Sequence, residues 1–154
     1  MATITNQAAL SYNGVTTLSN IAVGELMEVL TATKTAADTT YTAGGVKTFV
    51  ISLVNSSAAA LTGLTVTDTL GSYTFSGNTL YPLTYVTGSL LYYVNGALQA
   101  TPTVTATAPL TVTGVTVPAG GSAMLIYTAR VNEYAPLGVE DSITNTATIT
   151  GGGL

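Results

Sequence analysis

A chain of 154 residues has room for one domain with a sizeable core and an extension, yet only 6% of this one is charged, against roughly a quarter in ordinary soluble proteins. Its net charge of −4 includes just three basic residues, Lys34, Lys47 and Arg130, which argues against nucleic acid as a partner because no patch exists to neutralise phosphates. With no His and no Cys, the usual general base, the thiol nucleophile, the disulfide and the preferred zinc ligands are all missing, so the expectation is no enzyme, no metal and no cofactor.

Mean hydropathy is +0.48, but alternation disperses the apolar residues and no run approaches the roughly 20 needed for a spanning helix. The start, Met1-Ala2-Thr3-Ile4, lacks the basic and apolar stretches of a secretion signal, so either a signal has been removed or export follows another route.

In chain order, Ile4 to Tyr12 reads as a strand, Asn13-Gly14 as a two-residue type I′ turn, and Ser19 to Leu30 as a second strand-like segment. Lys34 follows in phase with Leu30 and Ala32. Gly44-Gly45 marks a turn, and in Thr48 to Val54 the residues Phe49, Ile51 and Leu53 share one face. Leu64 to Leu70 places Leu64, Val66 and Leu70 together; Asn95-Gly96 predicts another hairpin; Pro118-Ala119-Gly120-Gly121 breaks the chain again. Ala123 to Val131 brings Leu125, Tyr127 and Val131 into phase, Pro136-Leu137-Gly138 is a turn, and Ile143 to Ile149 is a last strand. No segment offers a long amphipathic helix. The pattern predicts an all-β protein: an antiparallel two-sheet sandwich over residues 31–154, with residues 1–30 as an N-terminal arm.

The last strand, Ile143-Thr144-Asn145-Thr146-Ala147-Thr148-Ile149, has a near copy at the other end, Ile4-Thr5-Asn6-Gln7-Ala8-Ala9-Leu10. The first copy runs on into a further strand, whereas the second stops at Gly151-Gly152-Gly153-Leu154. This asymmetry predicts a subunit completed by a neighbour.

Six motifs in order carry a family resemblance. They are Thr42-Ala43-Gly44-Gly45 after Lys34, the strand Phe49 to Ser56, Val66-Thr67-Asp68-Thr69-Leu70, Tyr85-Val86-Thr87-Gly88-Ser89, Val117-Pro118-Ala119-Gly120-Gly121-Ser122 and Ile143-Thr144-Asn145-Thr146-Ala147. Together they resemble the conserved-repeat, immunoglobulin-like "domain of unknown function eleven" of bacterial and archaeal surface proteins, over about residues 31 to 150. The resemblance implies an immunoglobulin-like fold and an extracellular or cell-surface structural role. Family members follow the Asn-Thr-Ala strand with one more, which is absent after Thr150; the segment from Ile4 to Val23 resembles the tail of a preceding repeat.

A sandwich without its last strand leaves unpaired N–H and C=O groups beside an uncovered apolar groove, which an incoming strand satisfies by addition. The expected donor residues are Ile4, Ala8, Leu10, Ile21 and Val23, and the expected acceptor edge is Ile143, Asn145, Ala147 and Ile149. Donor and acceptor lie at opposite ends, so the contact is heterologous and propagates into a filament unless it closes a ring. The competing expectation is that the arm folds back on its own domain to give a permuted monomer.

Three polar residues fall in inward phase: Lys34, Asp68 between Val66 and Leu70, and Asn145 between Ile143 and Ala147. Buried without partners they are costly, so they are expected to meet. Their types fit an autocatalytic isopeptide crosslink, as used by surface domains with related sandwich folds. In that chemistry an uncharged Lys attacks the Asn carboxamide beside a protonated carboxyl, and ammonia leaves. Lys47, in phase with Phe49, is a rival amine. The plainer reading has Asn145 bonded to backbone, Asp68 capping a turn and Lys34 snorkelling to solvent.

Glu140 and Asp141, with Asp38 or Glu133, could offer oxygens to calcium, but their spacing matches no calcium loop. Tyr73, Tyr81, Tyr85, Tyr92 and Tyr93 could stack on sugars or simply form strands and contacts. Ser and Thr lack an obvious base. The expectation is therefore a structural subunit that joins copies of itself by donor-strand exchange into an extracellular fibre, a spore or cell appendage, or a surface layer, with no small-molecule substrate. The alternative is an adhesin or carbohydrate-binding module of a larger surface protein.

Overall fold

The computed structural model describes residues 3–25, 28–138 and 141–152, and among them every regular element is a strand. The first four, β1 (Thr3–Asn6), β2 (Ala9–Tyr12), β3 (Val15–Leu18) and β4 (Ala22–Glu25), pair only with one another. Asn13 and Gly14 turn β2 into β3 with φ of 49° and 76°, the left-handed values a type I′ turn requires. Tyr12 then faces Val15 and Ala9 faces Leu18.

Beyond Ala9 and Leu18 the arm is irregular. Gln7 and Ala8 oppose Ser19, Asn20 and Ile21 before the ladder resumes with Asn6 against Ala22. Ser19 holds this bulge together: its N–H donates to the Ala8 carbonyl at 2.9 Å and its Oγ accepts the Ala8 N–H at 3.0 Å. The extra residue in the second limb splits the strand expected from Ile4 to Tyr12 in two. The arm is thus a broken hairpin rather than two continuous strands.

The sandwich strands are β5 (Leu30–Ala36), β6 (Val46–Asn55), β7 (Leu61–Asp68), β8 (Tyr73–Phe75), β9 (Asn78–Leu80), β10 (Leu83–Tyr85), β11 (Leu91–Val94), β12 (Ala97–Gln99), β13 (Thr103–Thr107), β14 (Leu110–Val117), β15 (Ser122–Val131) and β16 (Ala147–Thr150). One sheet runs β12-β11-β15-β6-β5, with β10 also on β15; the other runs β13-β14-β7-β16. All pairings are antiparallel, and the protein is an immunoglobulin-like two-sheet sandwich. β8 and β9 form a separate hairpin about Ser76-Gly77.

Alternation builds the core. In β6 the buried residues are Lys47, Phe49, Ile51, Leu53 and Asn55, and β7, β14 and β15 contribute Leu64, Val66, Val115, Val117, Leu125 and Tyr127. Burying an aliphatic or Phe side chain of this kind stabilises by about 1.5–3 kcal/mol. Tyr127 lies at the centre, stacked on Phe49 with ring centroids 5.4 Å apart.

Asn55, 1% exposed, is satisfied locally. Its Nδ2 donates to the carbonyls of Ala59, Val117 and Pro118, and its Oδ1 accepts from the Ser57 N–H and hydroxyl. It ties the β6–β7 turn to the end of β14.

Candidate functional site

The two sheets end beside one another along a flank where β5 borders one and β16 the other. Their proximity is visible in the side chains: Lys34 of β5 reaches across to Asp68 of β7, the strand on which β16 pairs. Pairing sets Ala147 against Asp68 and Ile149 against Val66. Ile143, Ala147 and Ile149 rest half-buried against the core, while the intervening threonines are exposed. Among the described residues nothing pairs with the outer edge of β16.

Asp68 is 1% exposed because it shares the inward parity of Leu64 and Val66. Its Oδ1 accepts the Leu70 N–H at 3.0 Å, and its Oδ2 accepts the Lys34 ammonium at 2.5 Å and the Tyr127 hydroxyl at 2.6 Å. Tyr127 in turn accepts from the Asn145 amide nitrogen at 3.3 Å. Asn145 Oδ1 accepts the Gly71 N–H at 3.1 Å and the Thr69 hydroxyl at 3.3 Å.

Lys34 and Asn145 therefore approach the Asp68–Tyr127 pair from opposite ends of one network. Among the described residues no buried side-chain nitrogen or oxygen lacks a partner. Gly71 permits the close approach of the last segment: its φ is +71°, and a Cβ there would lie 2.4 Å from Ile143 Cγ2.

Burial holds the Lys34 pKa below the usual lysine value, against the hydrogen bond and charge of Asp68, which pull it up. Its ammonium also lies 5.1 Å from the Phe49 ring centroid. Tyr127 is pushed far above the ordinary phenol range, first by burial, then by the charge and hydrogen bond of Asp68, with the Asn145 bond acting the other way. It stays a neutral donor at physiological pH.

Of the two amines that parity allowed, Lys47 takes another course. It donates to the Thr40 carbonyl and pairs with Asp38 at 3.2 Å. Features of the plainer reading are present as well: Asp68 caps the turn at Leu70 and Asn145 bonds backbone at Gly71. Lys34 points inward rather than to solvent. The sequence pattern sets Tyr127 in phase with Leu125 and Val131; the signal of its further role is a phenol in inward phase, whose hydroxyl needs a partner.

Next to the cluster a cleft of about 450 Å³ opens, lined by Thr35, Ala36, Tyr41, Phe49, Leu83 and Ile143 together with the polar residues Asp38, Thr39, Thr40 and Lys47. The arm, by contrast, leaves its apolar side chains uncovered. Its predicted donor residues Ile4, Leu10, Ile21 and Val23 are 74, 72, 56 and 62% exposed; Ala8 is exposed too and sits in the bulge.

The remaining candidates separate. Glu140 lies outside the described residues. Asp141 accepts the Gly138 N–H at 2.8 Å, Asp38 is engaged with Lys47, and the described residues hold no group of three potential metal ligands. Tyr85 and Tyr92 are buried in the core and Tyr73 donates to the Tyr134 carbonyl, so the tyrosines do not form one exposed stacking face. No described helix is long and apolar enough to cross a membrane.

No protein-family model matches the chain, and no curated protein matches it. Among solved structures it is similar to the pilus backbone (RrgB) from Streptococcus pneumoniae, with a TM-score of 0.56 and 13% sequence identity, over 79% of this chain and 51% of that one. The chain thus spans about half the length of that structure. What the two share is the β-sandwich fold.

Proposed function

We propose that the protein is a non-enzymatic structural subunit that polymerises with copies of itself into an extracellular fibre or surface appendage. The observation that carries this reading is a pair of unsatisfied surfaces on one chain: an arm whose apolar side chains are more than half exposed, and a sandwich flank whose edge strand β16 has an unpaired outer side among the described residues. Strand addition satisfies both, with backbone hydrogen bonds along β16 and apolar side chains against Ile143, Ala147 and Ile149. Because donor and acceptor differ, the contact repeats into a filament unless it closes. The fold shared with a pilus backbone and the resemblance to surface-protein repeats support the same reading.

Within each subunit, Lys34 and Asn145 form an isopeptide bond. Asp68 takes the proton of the Lys34 ammonium, and the freed Nζ attacks Cγ of Asn145. The Gly71 N–H and the Thr69 hydroxyl steady the negative charge that develops on Oδ1. That proton passes from Asp68 through the Tyr127 hydroxyl to Nδ2, the Cγ–Nδ2 bond breaks, and Asp68, again a carboxylate, takes the second Nζ proton, which the new amide nitrogen must lose. One ammonia leaves and one amide remains, with the Tyr127 hydroxyl relaying the proton between Asp68 and Asn145.

Sizing chromatography and negative-stain microscopy test the assembly. The wild type is expected to give filaments and an Ile21→Asp/Val23→Asp variant discrete particles; particles from both would refute polymerisation through the arm. Intact mass tests the bond, with loss of one ammonia mapped to Lys34 and Asn145 expected, and an unmodified mass in assembled protein against it.

A further inference from the structure

The Lys34–Asp68 cluster borders the cleft. Thr35 and Ala36, which line the cleft, directly follow Lys34 on β5; Phe49, which also lines it, lies under the Lys34 ammonium. Ile143, which lines it too, precedes Asn145 by one intervening residue. The side chain of Lys34 keeps 13% exposure while that of its partner Asp68 keeps 1%, so water still reaches the cluster at its lysine end.

From the assembly reading above, on which it rests, we infer that the arm of a second copy fills this cleft, and that its arrival closes the Lys34–Asp68 site to water and brings on the amide bond, so that crosslinking follows assembly. The charges match. From Thr3 to Gly24 the arm has no charged residue, and the two charged residues that line the cleft, Lys47 and Asp38, pair with each other at 3.2 Å, Lys47 also donating to the Thr40 carbonyl. An uncharged apolar hairpin thus enters without stranding a charge. Once seated it removes the last hydration of the Lys34 ammonium, which favours the free amine that attacks Asn145. A subunit would be locked only after a neighbour had docked, leaving the unassembled chain free to adjust its flank.

The full-length protein tests this in two fractions. Monomer isolated before assembly is expected to have its unmodified mass, and filaments to have lost one ammonia per chain. The Ile21→Asp/Val23→Asp variant, with its own cleft intact, is expected to remain unmodified until a synthetic peptide of residues 1–25 is added, and then to lose ammonia without forming filaments. Lys34→Arg is expected to assemble and never lose ammonia. Ammonia loss in the monomeric variant without peptide would overturn the coupling, as would filaments of unmodified mass, in which case assembly stands and only the coupling falls. Failure of the wild type to form filaments would remove the assembly reading as well.

Discussion

The arm and the sandwich use the same residue vocabulary, Thr, Ala, Val, Leu and Ile in alternation, and reach opposite outcomes. In β6 the apolar members of the alternation, Ile51 and Leu53, are 2 and 0% exposed; in β2 and β3 Leu10 and Val15 are 72 and 67% exposed. The difference is the partner. β6 lies between β5 and β15 and faces a second sheet, whereas the arm strands have only one another, and a two-stranded hairpin has no second layer against which to bury a face. Alternation therefore marks a surface that needs covering, and only the rest of the molecule, or another molecule, supplies the cover.

Substitutions in the two regions can break or sharpen this contrast. The largest loss is expected at the polar heart of the sandwich: Asp68→Ala strands the Lys34 ammonium and the Tyr127 hydroxyl, costing about 3–5 kcal/mol in urea unfolding and blocking ammonia loss. Leu53→Ala, in a fully buried site, should cost about 2–5 kcal/mol by the same measurement, most if the core does not relax around the cavity. Asn55→Ala removes the bonds to Ala59, Val117 and Pro118 and should cost about 1–3 kcal/mol. Leu10→Ala in the arm should change the unfolding free energy of the monomer by less than about 0.5 kcal/mol while weakening assembly. A Leu10→Ala loss as large as that of Leu53→Ala would mean that the arm is buried on its own sandwich.

The subtlest effect is on pH, read in uncrosslinked protein. Lys34 has its pKa depressed in the folded state, so between that lowered value and 10.5 the unfolded chain binds more protons; stability rises with pH through this window and is lost as pH falls through it. Tyr127 works the other way. Its folded pKa is raised, so above 10.0 the unfolded chain gives up a proton that the folded one keeps, and stability falls. Tyr127→Phe should abolish the alkaline fall and leave the rise, as followed by urea midpoints from pH 8 to about 11.

Parts of this organisation were legible before the fold. The alternation of Phe49, Ile51 and Leu53 and the Asn13-Gly14 and Asn95-Gly96 turns follow from local stereochemistry, since a period of two and positive φ are properties of short segments. The Ser76-Gly77 hairpin was missed because its strands, Tyr73–Phe75 and Asn78–Leu80, are too short to show a period. The bulge at Ser19 to Ile21 was missed because one extra residue alters register without altering composition.

For the polar cluster, parity set Lys34, Lys47, Asp68 and Asn145 alike on inward faces and went no further. Parity says which side of a sheet a residue occupies, not its height along the strand or what faces it across the core. The sequence by itself determined an all-β chain of low charge, without His or Cys, patterned for burial at both ends. Tertiary structure alone decided that Lys34 rather than Lys47 meets Asp68, that Tyr127 bridges Asp68 to Asn145, and that β5 and β16 border one open flank. These are matters of how two sheets stack and where each ends, which depend on contacts between residues far apart in the chain.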